Sequence, residues 1–217
     1  MTVPEPDADD GRLLSSTRIE AFSDGVFAIA ITLLVLDLRT PTTSGSFAHQ
    51  LAEEWSAYVA YLASFLVIGT VWLTHHRLFA RIDRVDGSLL QLNLGVLLLA
   101  SVLPFPTAIV SAAFRDGTHG DQVTAILVYS GVSILLTLVW QGLVIHVERT
   151  PALLDRAADA VALRAELRQG WFGLVPPLVA APVVLVAPIP ALLLQMVTPL
   201  VYLGSLHRTR RQPLSRR

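Results

Sequence analysis

Long apolar blocks are the feature of this 217-residue sequence that most constrains its fold. Five such blocks run through the chain, and each is at least about as long as the roughly 20 residues that a helix needs to cross a membrane. Charged residues make up only 15% of the chain, against about 25% in ordinary soluble domains, and the mean hydropathy is +0.58. This pattern excludes a soluble α/β or all-β domain and predicts an all-α integral membrane protein.

The fifth apolar block is too long for one crossing. It covers 36 residues, 171–206, and would extend for about 54 Å as a single helix. Because prolines end or kink helices, Pro188 and Pro190 near its middle predict two short spans joined by a turn. Pro104 and Pro106 predict a kink in the third block in the same way. The six expected spans are residues 18–38, 55–76, 89–114, 123–147, 171–187 and 190–206.

The placement of the arginines predicts the orientation of these spans. All 16 basic residues are arginines, and six spans place 14 of them on one side of the membrane, leaving only Arg39 and Arg115 on the other. By the positive-inside rule both termini are then cytoplasmic, as an even number of spans requires. The expected six-helix transmembrane domain covers residues 18–207, between a disordered acidic tail at 1–17 and a basic tail at 208–217.

Several functional classes find no support in the composition. The net charge is −1, which gives no reason to expect a nucleic-acid partner. The chain has no cysteine, so disulfides, thiolate nucleophiles and zinc–thiolate sites are excluded. The sequence also lacks an HExxH motif and a glycine-rich phosphate loop. We therefore expect no enzyme activity, no cofactor and no bound metal.

Polar side chains gather near the cytoplasmic ends of the first three spans. Ser23 and Asp24 lie in the first span, His75 and His76 end the second, and Asn93 begins the third. Ionisable groups inside a membrane are costly and indicate function by default, and these groups can satisfy one another across helices. The alternatives are that they only mark the membrane–water boundary, or that they bind a metal. Adjacent histidines on a helix point about 100° apart, which disfavours the metal site.

The first span carries an apolar stripe. Ile29, Leu33 and Leu36 are spaced i, i+4, i+7 and share one side of a helix, with Thr32 beside them. Such a stripe ordinarily faces lipid or packs against another helix, and periodicity alone does not reject this. If it faces a central axis instead, its branched side chains form a narrow constriction that can gate by dewetting.

The first span also resembles a known signature. The segment that begins Arg18-x-x-x-Phe22-Ser23-Asp24-Gly25 and continues as an apolar run to Leu36 is similar to the first helix of the transmembrane protein 175 potassium channels. Residues 72–79, WLTHHRLF, resemble the end of that family's second helix. The six-span layout matches as well, so the resemblance covers most of the chain.

The resemblance implies a passive, potassium-preferring cation channel in a bacterial plasma membrane. Bacterial members carry one six-helix repeat per chain and form tetramers, so four copies of this chain would surround a pore lined by the first helix. The family's hydrophobic constriction maps to Ile29, Leu33 and Leu36, and Thr32 matches a pore-facing polar position. Arg18 and the motif Phe22-Ser23-Asp24 correspond to the family's interhelical polar network. The candidate partners on the second and third helices are Trp72, either His75 or His76, and Asn93.

Two other functions remain open at the level of sequence. A proton channel or proton-coupled transporter would use Asp24 with the His75/His76 cluster as a relay, because such residues mark proton paths in membranes. A membrane scaffold would have no transport activity at all. The proton hypothesis predicts flux that titrates in the histidine range and is lost in Asp24→Asn.

Overall fold

The computed structural model of the chain describes residues 16–43, 45–155, 159–197 and 199–201. Within these ranges the chain is helical, and its only strand-like contact is an isolated bridge between Ile82 and Leu154. The prediction of an all-α chain is confirmed for this part. The expected C-terminal tail lies outside the described residues, as do all but the last two positions of the expected N-terminal tail.

The described helices follow the apolar blocks of the sequence. Short 3-10 segments at Leu34–Asp37, Pro151–Leu153 and Trp171–Leu174 extend or join them. The α-helices are α1 (Ser16–Leu33), α2 (Phe47–Glu53), α3 (Trp55–Phe79), α4 (Gly87–Val102), α5 (Pro104–Asp116), α6 (His119–Arg149), α7 (Asp159–Gly170), α8 (Val175–Val183) and α9 (Pro188–Leu194).

Local polar residues set where two of the long helices begin. Thr118 and Asp121 form a capping box at α6, in which the Asp121 carboxylate accepts a hydrogen bond from Thr118 N at 2.8 Å. Asp86 caps α4, because its Oδ1 accepts a hydrogen bond from Leu89 N at 2.7 Å. Each cap satisfies a backbone N–H that the first turn of a helix leaves without a helical partner.

The third apolar block is interrupted at its prolines. Helix α4 ends at Val102 and α5 begins at Pro104, so the predicted kink is confirmed. Pro104 and Pro106 have no N–H to continue the helical ladder, and Leu103 N bonds to Ala100 O at 3.3 Å in the tighter 3-10 pattern.

Four segments of the described chain are long and apolar enough to cross a membrane. They agree with the first four spans expected from the sequence, with boundaries that differ by at most four residues. Their bounds are Ser16–Asp37, Trp55–Phe79, Gly87–Asp116 and His119–Arg149.

The fifth block forms two short helices, α8 and α9, which are separated by a turn before Pro188. The predicted break at the prolines is therefore confirmed. Neither helix is long enough by itself to cross a core of roughly 30 Å, since a helix rises about 1.5 Å per residue. The fifth and sixth spans at 171–187 and 190–206 stay predictions, and residues 202–206 lie outside the described chain.

Helix α1 and the last two helices lie on different sides of the bundle. Helix α1 packs against α3, α4 and α5, whereas α8 and α9 pack on α6, which also contacts α4, α5 and α7. Large apolar side chains fill the space between them, and those that are fully buried include Phe27, Ile68, Leu89, Leu103, Ile126 and Leu143. This arrangement leaves one side of α1 without a neighbour among the described residues of the chain.

Both arginines expected on the outer side lie beside carboxylates. Arg115 Nε is 3.1 Å from Glu54 Oε1 in an ion pair that is largely buried. Arg39 is 4.0 Å from Asp116 in an exposed pair. These carboxylates neutralise the two exceptions to the arginine asymmetry locally.

Candidate functional site

Helix α1 has one buried face, which packs into the bundle. Ile19, Ser23, Phe27 and Ala30 form it, and Leu34 continues it into the 3-10 segment. The spacing of three and four residues places these side chains on one side of the helix. Four of the five are apolar, and Ser23 is the polar group in this interface.

A second face of α1 is exposed, and it carries the apolar stripe predicted from the sequence. Ile29, Leu33 and Leu36 are 61%, 42% and 75% exposed, although they are large apolar side chains. Thr32 is also exposed, and its Oγ1 donates a hydrogen bond to Ile29 O at 2.9 Å within the helix. Phe22, seven residues before Ile29, continues the stripe towards the N-terminus and is 58% exposed.

Three polar side chains connect α1, α3 and α4 in the interior. Asn93 Nδ2 donates a hydrogen bond to Ser23 Oγ at 3.1 Å, and Asn93 Oδ1 lies 2.8 Å from His75 Nε2. All three side chains are fully buried. We call Ser23, Asn93 and His75 the buried amide network.

The direction of these hydrogen bonds follows from Ser23. Its single hydroxyl hydrogen is donated to Ile19 O at 2.8 Å, so Ser23 Oγ can only accept from Asn93. The amide nitrogen of Asn93 must therefore face Ser23, which turns its oxygen towards His75. His75 consequently carries a hydrogen on Nε2 and donates it, and this arrangement fixes both the amide orientation and the ring tautomer.

The remaining surroundings of His75 are aromatic. Its ring stacks on Phe79 with centroids 4.1 Å apart and meets the ring of Phe27 edge-on at 5.3 Å. His75 Nδ1 is buried and has no hydrogen-bond partner among the described residues. The imidazole is thus held by one polar bond and by packing, and it ties α3 to both neighbouring helices.

Two further contacts join α1 to α3 beside the buried amide network. Trp72 Nε1 donates a hydrogen bond to Asp24 Oδ1 at 2.9 Å, and His76 Nδ1 lies 2.7 Å from Glu20 Oε1. The two helices run antiparallel, so a step of four residues back along α1 matches a step of four residues forward along α3. Asp24 therefore contacts a tryptophan, and the histidine pairs with a different carboxylate.

Glu20 was not among the residues expected in the network, although its spacing in the sequence gave a signal. Glu20 lies four residues before Asp24, and His76 lies four residues after Trp72, so each pair shares a helix face. Arg18, which the resemblance assigned to the network together with Phe22, is exposed like Phe22. The structure places neither of these two in the polar contacts described above.

A second polar cluster, absent from the sequence analysis, lies between α3, α5 and α6. Ser64 Oγ is 2.7 Å from Thr107 Oγ1 and 3.0 Å from Tyr129 OH. Thr107 donates its hydrogen to Leu103 O at 2.8 Å, so Ser64 must donate to Thr107, and Tyr129 must donate to Ser64. We call Ser64, Thr107 and Tyr129 the hydroxyl chain.

The part of the chain that the structure describes offers no group of three or more His, Asp or Glu side chains that could hold a metal ion. His75 and His76 belong to different contacts, one with Asn93 and one with Glu20. Neither is hydrogen-bonded to Asp24, whose contact is with Trp72.

Comparison with known proteins gives the same architecture. A family model described as "Endosomal/lysosomal potassium channel TMEM175" matches residues 18–104, which contain the apolar stripe and the buried amide network. A protein of Streptomyces collinus named as a potassium channel is 45% identical over 152 residues, which are 69% of this chain and 73% of that protein. The chicken protein named "Endosomal/lysosomal proton channel TMEM175" is 32% identical over 151 residues, which are 63% of this chain and 30% of that protein.

A solved structure extends the match over nearly the whole fold. The crystal structure of a lysosomal potassium-selective channel TMEM175 homologue from Chamaesiphon minutus matches with a TM-score of 0.75 and 31% identity. The match covers 88% of this chain and 97% of that one. Fold and sequence together define a membrane ion channel. The chain belongs to the TMEM175 family, as its first helix predicted.

Proposed function

We propose that this chain forms a passive, potassium-preferring cation channel in the bacterial plasma membrane. Four copies surround one axis, each chain crosses the membrane six times with both termini in the cytoplasm, and α1 lines the pore. Ile29, Leu33 and Leu36 form the hydrophobic constriction, with Thr32 beside it. The names of the bacterial relative and of the matched crystal structure support potassium as the permeant ion. Potassium is then cargo, and the channel needs no cofactor, metal or catalytic group.

The observation that carries this proposal is that one face of α1 is buried by neighbouring helices while another face is exposed. One face is buried against α3, α4 and α5, whereas the apolar stripe is left bare. The contacts of Glu20 and Asp24 with α3 fix the rotation of α1, so the stripe keeps its direction. Around a shared axis the stripes of four chains would leave a narrow apolar passage, which can gate by dewetting.

The buried amide network has a structural role in this proposal. It holds α1 against α3 and α4 from the side opposite to the ion path, so the position of the constriction depends on it. Side chains that fix a functional element need locked rotamers and satisfied polar groups. The network then sets the width of the passage without contacting the ion.

Bi-ionic potassium/sodium recordings in planar bilayers test the pore assignment. Ile29→Ala and Ile29→Asn should both alter the potassium-to-sodium permeability ratio, because each replaces a branched side chain at the narrowest apolar level. Val35→Ala is the matched control, since Val35 is also exposed on the first span but lies off the stripe. Unchanged conductance and selectivity at Ile29, Leu33 and Leu36 would remove the pore assignment. A protein that stays monomeric in every detergent would argue against the shared axis.

A proton channel or proton-coupled transporter is the alternative function. The chicken relative is named as a proton channel, and two histidines and two carboxylates meet between α1 and α3. A relay through Asp24 would have to pass Trp72, because that indole is the group hydrogen-bonded to Asp24. This alternative predicts a proton current that Asp24→Asn abolishes. A folded, assembled Asp24→Asn protein with an unaltered current would rule it out.

A further inference from the structure

An apolar cavity lies on the side of the bundle away from the apolar stripe. Its volume is about 280 Å³, and it opens between α3, α6 and the segment that joins α7 to α8. Small-molecule sites typically measure about 300–1,000 Å³, so the volume of this cavity lies just below that range. Its lining includes Val67, Thr74, Leu136, Trp140, Phe172 and Pro176.

The wall of the cavity is mostly apolar, and it carries the hydroxyl groups of four residues, Thr70, Thr74, Ser133 and Thr137. Thr74 Oγ1 donates to backbone oxygens of its own helix, and Thr137 Oγ1 donates to Ser133 O at 2.9 Å. These two hydroxyls are engaged within their helices, whereas Thr70 Oγ1 and Ser133 Oγ, which also line the cavity, are buried without a hydrogen-bond partner among the described residues. The cavity is lined by membrane-spanning helices, so its natural occupant is hydrocarbon rather than water.

Two exposed arginines lie next to the end of this cavity that the proposed topology places on the cytoplasmic side. Arg77 follows Thr74 by three residues, so it lies on the same face of α3, about 4.5 Å further along the axis. Arg168 directly precedes Gln169 and Gly170, which line the cavity from the end of α7. Both arginines are exposed, and neither forms an ion pair with a described residue.

The two arginines lie at the depth in the membrane where lipid headgroups are expected. Trp171 and Phe172 follow Gly170 and are 44% and 68% exposed, and aromatic residues are enriched where the membrane meets water. An apolar slot below this level and two cations at this level are complementary to a molecule that has an acyl chain and an anionic head. Cationic pockets between helices on the cytoplasmic side bind such lipids in membrane proteins.

We propose that this cavity binds an anionic phospholipid of the cytoplasmic leaflet, with one acyl chain between α3 and α6 and the phosphate held by Arg77 and Arg168. The lipid wedges α7 and α8 against the bundle on the side away from α1. The site does not depend on which ion the channel conducts. Each arginine near a membrane surface favours an anionic head by about fivefold, so two arginines give a marked preference over a zwitterionic lipid.

Photo-crosslinking in proteoliposomes tests this site. The probes are phosphatidylglycerol and phosphatidylcholine with the same diazirine-bearing acyl chain, and mass spectrometry maps the labelled peptides. Phosphatidylglycerol should label the peptides containing residues 67–74 and 133–140 several times more strongly than phosphatidylcholine. The double variant Arg77→Gln/Arg168→Gln should lose this preference. Arg39→Gln, an exposed arginine elsewhere on the chain, should keep it.

A second variant tests the contribution of the cavity's volume separately from that of the two arginine charges. Thr137→Leu narrows the cavity without altering charge, so labelling by both lipids should fall while the preference for the anionic headgroup persists in what remains. Equal labelling by the two lipids would mean that the cavity takes any acyl chain, and it would overturn the proposal. A preference that survives the double variant would do the same. Crosslinks between two copies of the chain at residues 133–140 would show instead that a second subunit covers the cavity.

Discussion

The buried amide network and the hydroxyl chain each connect three helices inside the bundle, but they differ in whether every polar group has a hydrogen-bond partner. In the hydroxyl chain each hydroxyl hydrogen has an acceptor, from Tyr129 to Ser64, to Thr107 and finally to Leu103 O. In the amide network His75 Nδ1 is buried without a partner among the described residues. Each hydroxyl group has one hydrogen to donate, and in this chain the next oxygen accepts it. An imidazole has two ring nitrogens, and the second one also needs a partner.

The incomplete network is the one that positions α1. Buried polar groups without partners cost free energy, and natural proteins tolerate such costs mainly at functional sites. The complete network lies away from α1, at the proline break between α4 and α5. The hydroxyl chain therefore joins helices other than α1, whereas the amide network contacts the helix proposed to line the pore.

Asn93→Ala should have the largest effect on stability. The substitution leaves His75 Nε2–H without an acceptor in a fully buried site and opens a small cavity, which together cost about 2 kcal/mol of unfolding free energy. Unfolding of the detergent-solubilised protein by SDS measures this. Leu94→Ala is the control, because Leu94 is the next residue of α4 and is largely exposed. Equal stability of the two variants would show that His75 finds another partner.

The same variant also separates the two roles in the comparison. If the amide network sets the position of α1, Asn93→Ala should alter conductance as well as stability. Thr107→Val, the variant of the hydroxyl chain that is expected to lose the most stability, should leave conductance unchanged. Equal effects of the two variants on conductance would show that the amide network has no special role in positioning α1.

Thr107→Val and Tyr129→Phe should destabilise the protein to different, smaller extents. Thr107→Val removes the acceptor of the Ser64 hydrogen, whereas Tyr129→Phe removes only a donor and leaves Ser64 bonded to Thr107. Interhelical hydrogen bonds in membranes contribute about 0.6 kcal/mol on average and up to about 1.7, so we expect Tyr129→Phe near the lower value and Thr107→Val near the upper. The SDS titration measures both. The reverse order would contradict the donor direction assigned to the chain.

Hydropathy and proline placement were sufficient to predict much of the fold. The first four spans, the break at Pro104 and the turn before Pro188 follow from the length of apolar runs and from the missing proline N–H. Hydropathy and proline placement do not determine whether α8 and α9 each cross the membrane. An apolar composition is common to a spanning helix and to a short helix buried against other helices, so hydropathy does not separate the two.

The sequence was sufficient to predict the depth of the site residues in the membrane, but not the rotation of each helix about its own axis. Orientation placed Ser23, His75 and Asn93 at one level, and the structure brings these three together. The partner of Asp24 depends on the rotation of α1 about its axis, which packing of the whole bundle decides. The hydroxyl chain was not predictable for a related reason, because serine and threonine in a span can also bond to their own helix, as Thr74 does.

The smallest predicted effect concerns Asp86, which lies just before the third span and caps the N-terminus of α4. Burial alone would raise the pKa of Asp86, but hydrogen bonds from Leu89 N and from His146 Nε2 outweigh it and hold this pKa below its ordinary value of 3.8. A depressed carboxyl pKa contributes stability that is fully present above the ordinary value and is lost as the pH falls through the folded value. Asp86→Asn should therefore lower Tm near neutral pH, and the gap to the wild type should close below about pH 4.

The difference in Tm between the wild type and Asp86→Asn tests whether exposure to water determines how much a polar contact contributes to stability. Asp86 is partly open to water, so screening weakens its contact with His146 relative to the bonds of Asn93 inside the bundle. Asparagine also caps helices well, so the variant keeps much of the capping and loses mainly the charge. Asp116→Asn, in the exposed pair with Arg39, is the control for charge removal. A gap at neutral pH as large as that of Asn93→Ala, or one that does not close in acid, would contradict the ranking of buried over exposed contacts.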